Sequence, residues 1–283
     1  MVLESLTTPY KAERHPWEMF FIGLVYSSVA VFISLQIFES MAGLISVFLT
    51  VMAAIPITYS TIKFEEEKDL TDLKERTLLK EHSKAIMLFI FLFLGIMISY
   101  TLWYIFLPVD SVHSLFSIQI DTIKSINSNV VTGAASNYEY LLRVFTNNVK
   151  VLIFSILFAF FYGAGAIFIL TWNASVISVA MGTFFRNNIS TYAESIGMYK
   201  LAGYFHIFSL SFLRYMVHGL PEIMAYFVGG LAGGIISVAV IKHDFRSKNF
   251  EKILLDSADL ILISFLLLVI GALLEAYVTP ALF

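Results

Sequence analysis

Long apolar runs separated by short charged stretches dominate the chain. No Asp, Glu, Lys or Arg interrupts Met19–Phe38 (20 residues), Ser40–Ile62 (23), Ala85–Val109 (25), Val151–Phe185 (35), Ile223–Ile241 (19) or Leu260–Leu274 (15). A helix needs roughly 20 residues to cross a hydrocarbon core of about 30 Å, so most of these runs are long enough. The pattern predicts an all-α, polytopic helical membrane protein with about seven transmembrane helices. The expected spans are 17–38, 41–62, 85–107, 149–172, 201–217, 221–241 and 258–278. The twelve residues 174–185 are too short for another crossing and read as a re-entrant or interfacial helix.

Between these spans the segments differ in character, within one integral membrane domain over 1–283. Residues 1–62 form an N-terminal helical hairpin. Residues 63–84 hold six basic and seven acidic side chains. With Leu70, Leu73 and Leu78 at helical spacing and an acid-first Asp72/Arg76 pair, they read as a short solvated helix beside the membrane. Residues 109–148 are polar but sparsely charged. Phe116, Ile120, Ile123 and Ile126, then Leu141, Leu142 and Phe145, predict two amphipathic helices joined at Thr132-Gly133-Ala134. These lie either on the membrane surface or as a lid on the bundle. Residues 149–283 make the helical core. Pro221 suits the first turn of a new helix, so a turn is expected near Gly219.

Composition sharpens this picture. Of 283 residues 58% are apolar and 14% charged, against about 25% charged in soluble domains, which excludes a soluble enzyme or a nucleic-acid binder. The net charge of −3 offers nucleic acid no attraction. The chain has no cysteine, hence no disulfide or thiolate chemistry. Lys11 and Arg14 before Trp17–Phe38 mark an uncleaved first span, since that stretch is too long for a signal peptide. Basic residues then set the orientation. With the N-terminus cytoplasmic, segments 1–16, 63–84, 173–200 and 242–257 hold 2, 6, 2 and 4 of the 18. The positive-inside rule thus predicts a cytoplasmic N-terminus and an external C-terminus in the cell membrane.

Ionisable groups within the bilayer are costly and so are candidates for function. Arg214, His218 and Glu222 stand at i, i+4 and i+8, and Glu275 lies near the end of the last span. Topology brings them to one side, where they form the candidate intramembrane polar cluster. The alternative is a capped helix start with a structural ion pair. His218 and Glu222 have ligand-compatible spacing, but no His-Glu-x-x-His, phosphate-loop, dinucleotide or Gly-x-Ser-x-Gly motif occurs, so no metal, cofactor or catalytic residue is expected. Gly229-x-x-x-Gly233 and Gly230-x-x-x-Gly234 provide helix faces for close contact, within the chain or in a homo-oligomer.

The order Asn147-Asn148, Gly163-x-Gly165, Asn173, Gly182, His218-Gly219-x-x-Glu222, Glu275-Ala276 and Pro280 resembles the stage II sporulation protein M family of integral membrane proteins, archaeal-like members included. The resemblance runs from about Phe145 to the C-terminus, and Val217 stands where the family often has proline. It implies a non-enzymatic membrane protein whose partners are the lipid bilayer and other membrane or envelope proteins. In spore formers such proteins act with septal peptidoglycan-degrading partners. Two expectations follow: a scaffold that assembles envelope-remodelling partners, or a permease or channel component moving an ion or small solute past the polar cluster.

Overall fold

The computed structural model describes residues 7–38, 41–70, 75–130, 137–192, 197–242 and 247–283. Helices account for nearly all of them: α1 (Pro9–Arg14), α2 (Glu18–Ile37), α3 (Ala42–Asp69), α4 (Glu75–Phe106), α5 (Val109–Val130), α6 (Asn137–Tyr162), α7 (Ala166–Asn188), α8 (Met198–Lys242), α9 (Lys248–Leu273) and α10 (Thr279–Leu282). A 3-10 turn at Ile189–Tyr192 follows α7, and a single π-helical turn at Leu274–Val278 joins α9 to α10. Among the described residues, seven helices are long and apolar enough to cross a membrane.

The number of spans agrees with the hydrophobic runs, but the second half of the chain divides differently. The run expected to cross as 149–172 breaks at 163–165, where Gly163 adopts a φ of +65°. That left-handed conformation costs glycine nothing and other residues strain, so it ends α6 and lets α7 start back at Ala166. Residues 174–185 are therefore the interior of a full span, not a re-entrant or interfacial helix. In compensation, the expected spans 201–217 and 221–241 merge into one 45-residue helix that runs straight through Pro221. Proline removes one backbone bond, yet intramembrane helices tolerate this because neighbours re-satisfy the freed group.

Merging these spans moves one connection to the other end of the bundle. Arg186 on α7 donates to the carbonyls of Ile105 and Leu107, where α4 finishes, and Phe185 packs on Tyr204 of α8. Lys242 at the far end of α8 pairs with Glu66 of α3 at 2.7 Å. The α7–α8 connection thus lies opposite the end that carries α1, the α3–α4 junction and the α8–α9 junction. Segments 1–16, 63–84 and 242–257 still hold 12 of the 18 basic residues.

Small residues set the packing. Gly23 lets α2 meet the Leu92 carbonyl of α4, and Gly95 lets α4 meet the Phe20 carbonyl of α2. Gly229 faces Leu152 and Ile156 of α6, Gly233 faces the Ile156 carbonyl, Gly230 meets Ala166, and Gly234 meets Ile62. The paired glycine faces of α8 are thus occupied inside the chain and are not open for a contact between copies.

In the 109–148 segment, α5 packs as a lid. Val112, Leu115 and Phe116 are buried, Gln119 donates to Ser175 of α7 at 3.2 Å, and Gly43 of α3 receives the Leu115 carbonyl. Leu141, Leu142 and Phe145 form no separate amphipathic helix: from Asn137 the chain already runs in α6. Thr132-Gly133-Ala134 and Asp72 lie outside the described residues.

Candidate functional site

Because α8 is unbroken, Arg214, His218 and Glu222 project from one face of it. Glu222 sits beside Pro221 and lies against Gly271 of α9, where any side chain would collide with its Cγ. Its Oε1 accepts a hydrogen bond from Asn148 Nδ2 on α6. Glu275, in the π-helical turn, accepts from the Tyr140 hydroxyl at 3.0 Å. Glu275 lies one turn beyond the Gly271 that Glu222 touches, so both acids face the seam between α8 and the end of α9. His218 faces Thr279, with Nδ1 3.0 Å from Oγ1, and feels the charge of Glu275. Arg214 turns away to α7, its guanidinium 5.5 Å over the Phe184 ring. Three of the four residues therefore gather where α6, α8 and α9 meet, and Arg214, one turn from His218, stacks on Phe184. Tyr140 was not visible as a participant, because a tyrosine at a helix entry reads as an interface anchor.

The remaining motif positions fall into two groups. Asn148 and Gly163 do specific work at the carboxyl pair and at the α6–α7 break. Gly165 packs on the Phe158 carbonyl, and Gly182 receives the Tyr104 ring, whose hydroxyl bonds Thr183 at 2.9 Å. Asn173 bonds back to the Ile169 carbonyl, and Pro280 occupies the first turn of α10. Asn147 is exposed, and a Cβ at Gly219 would meet only Met216 Cε at 3.8 Å.

This arrangement lies within a match to the family model described as stage II sporulation protein M, spanning residues 47–280. The chain belongs to the stage II sporulation protein M family. The family match begins in α3, well before the stretch near Phe145 where the motif residues start. No curated protein and no solved structure matches the chain.

Outside the family motif, this member carries a second polar constellation at the charged end. The 63–84 stretch is not a solvated helix. Its described residues continue α3 to Asp69 and start α4 at Glu75, and Glu65, Glu66 and Asp69 have no exposed surface. His82, 1% exposed, places Nδ1 2.7 Å from Glu65 Oε2 and Nε2 2.9 Å from Asp69 Oδ1. Lys68 joins Glu65 to Glu13 of α1 at 2.8 Å from the latter, and Lys242 ties Glu66 to α8. Burial, reinforced by the neighbouring Glu65, pushes the Glu13 carboxyl up to about 7, against the pull of Lys68. A cleft of about 490 Å³ bordered by Tyr10, Glu13, Arg14 and Lys68 opens beside it. The sequence carried a signal for this knot: Glu65 and Asp69 are one helical turn apart, so they share a face. Only tertiary contact decides whether that face meets water. Among the described residues, no three His, Asp or Glu side chains are arranged to hold a metal ion.

Proposed function

We propose that this protein is a non-enzymatic membrane scaffold that presents a preformed cytoplasmic platform to membrane or envelope-remodelling partners. One observation carries this reading: the charged ends of α3, α4 and α8 are tied together by the buried His82–Glu65–Asp69 contacts and the part-buried Lys242–Glu66 pair. At 1.5 Å per residue, the 28 residues of α3 and 32 of α4 extend about 42 and 48 Å, beyond a core of about 30 Å. The overhang of α4 is on the charged side, because α2 begins opposite the middle of α4, as the Phe20–Gly95 contact requires. Exposed Lys63, Glu67 and Lys80 crown the unit. The excess of basic residues there supports a cytoplasmic assignment for this end and for the N-terminus, with the C-terminus external.

Photo-crosslinkers placed at Lys63, Glu67 and Lys80 in native membranes test the scaffold. The reading expects a discrete protein adduct at these sites, the one at Glu67 being lost on Lys63→Glu together with Lys80→Glu, and none at exposed Val25 or Phe32. Adducts confined to lipid at the platform sites would overturn it.

A second reading, transport of an ion or small solute, is favoured by the carboxyl pair Glu222–Glu275 inside the membrane. Purified protein in liposomes separates the two. The scaffold reading expects ion and solute flux no higher than in protein-free vesicles. Flux that disappears in Glu222→Gln would favour transport.

A further inference from the structure

Three helices leave the hydrocarbon at one level on the charged side. Glu18 is the last charge before the apolar run of α2, Lys63 the first after the run of α3, and Lys84 the last before the run of α4. The cleft of about 490 Å³ beside α1 lies at that level, because Arg14, Phe64 and Lys84 all border it. Tyr10, also on its border, and Trp17, three residues beyond Arg14, are exposed. Exposed aromatics of this kind belong to the boundary between lipid tails and headgroups. The cleft therefore opens at headgroup depth, and its volume falls in the range of small-molecule sites, about 300–1,000 Å³.

Its walls carry more positive than negative charge: Arg14, Lys68 and Lys84 border it, against Glu13 and Glu81. Lys68 is held by Glu13 at 2.8 Å and by Glu65. Lys84 gives two hydrogens to Glu81 at 2.6 Å each, and an ammonium has three. Arg14 is held differently, with its guanidinium 5.0 Å from the centre of the Tyr10 ring. The ring face attracts the charge but supplies no lone-pair acceptor for the five N–H donors. A guanidinium fork matches two oxygens of a phosphate, and an ammonium adds a point charge beside it. Burial lifts the Glu13 carboxyl to about 7, so this acid repels an anion less than an ordinary carboxylate does. Pairs from Glu13 to Lys68 and from Lys11 to Glu18 moor α1, and Arg14 with it, to α3 and α2.

We propose that this cleft binds the phosphate of an acidic phospholipid from the leaflet on the charged side, with Arg14 as the fork and Lys84 as the second donor. A soluble phosphate offers the same oxygens; the depth of the cleft and its aromatic border favour the lipid. The acyl chains need no pocket of their own, because the site meets the bilayer where headgroups already lie. The inference goes beyond the scaffold reading and does not rest on it, since Lys63, Glu67 and Lys80 of the platform are not on the border of the cleft.

Native mass spectrometry tests it by counting the lipids that stay bound to the full-length protein. The protein is released from micelles holding equal amounts of phosphatidylglycerol and phosphatidylcholine with the same chains. One phosphatidylglycerol per protein should be retained in preference to phosphatidylcholine. A basic group near an acidic lipid contributes about fivefold in affinity, so Arg14→Gln together with Lys84→Gln should cut that retention roughly 10- to 30-fold. Phosphatidylcholine retention should not change, which separates loss of the site from loss of the fold. Lys124→Gln, at an exposed base of α5 away from the cleft, should leave both lipids as they were. Arg14→Lys keeps the charge and loses the fork, so it should give an intermediate loss; a loss no larger than that of Lys124→Gln would mean diffuse attraction and overturn the site. Equal retention of the two lipids, or phosphatidylglycerol retention that survives the double variant, would overturn it as well. So would displacement of the lipid by millimolar glycerol phosphate, which would make the cleft a site for a soluble phosphate.

Discussion

A methyl group at Gly233 would run into the backbone of Ile156, while one at Gly219 would touch only the end of Met216. Both glycines belong to patterns visible in the sequence, yet only the first has a steric reason to be glycine. Gly233→Ala should therefore destabilise the protein by about 1–3 kcal/mol through overpacking against a backbone that cannot yield. Gly219→Ala should be neutral or stabilising by up to about 1 kcal/mol, from helix propensity alone. Thermal unfolding in mild detergent compares them, and equal losses would contradict the packing described. His82 presents the opposite situation, a group whose removal strands its neighbours. His82→Ala leaves Glu65 and Asp69 buried without their shared partner, and losing one member of a buried ion pair costs about 3–5 kcal/mol. His82→Gln, which keeps one donor, should cost less. At this scale the sequence was informative about Glu222 and Glu275, because isolated acids in apolar runs stand out. It marked Asn148 only as a motif position, was silent about Tyr140, whose type is ordinary at a helix entry, and gave no sign that Arg214 stacks on an aromatic ring of another helix.

Helix α1 is short, and Glu13 fixes it to the bundle by reaching into the knot around Lys68 and Glu65. Its raised proton affinity means the folded arrangement holds a proton that the unfolded chain, with an ordinary carboxyl, gives up at lower pH. The docked state then loses stability as pH rises from the ordinary carboxylate range through about 7, where Glu13 ionises beside Glu65. Hydrogen-exchange protection of Ala12 and His15, which donate to Thr8 and Lys11 carbonyls, should fall between pH 5 and pH 8. Glu13→Gln should flatten that dependence, and protection that rose with pH would contradict it. Element boundaries also show why the second half of the chain was misread from sequence. Pro221 and Gly219 look like a helix end, and Gly163-x-Gly165 looks like a helix crossing. The structure reverses both roles. Proline inside a bundle is tolerated when neighbours cover the gap, whereas the Gly163 backbone takes a conformation that no helix contains. Neither preference can be weighed without knowing the neighbours.

For the whole molecule, these two reversals offset each other: one expected span was cut and two were merged, so seven helices long enough to cross remain among the described residues. The first three spans and the last were legible because charges bound them sharply on both sides. The 35-residue apolar run Val151–Phe185 carried no such marker. The charged 63–84 stretch was legible as a segment outside the hydrocarbon but not as a buried knot, since burial of Glu65, Asp69 and His82 depends on helices far away in sequence.

One continuous α8 carries the chain from the α7 connection to the charged platform on the opposite side. The chain has no cysteine, so single cysteines introduced at exposed Met198 and partly exposed Ser247 can be labelled without background in sealed, oriented membranes. The account predicts that Met198→Cys reacts from one face only and Ser247→Cys from the other, with Glu67→Cys siding with Ser247. Labelling of Met198→Cys and Ser247→Cys from the same face would contradict it.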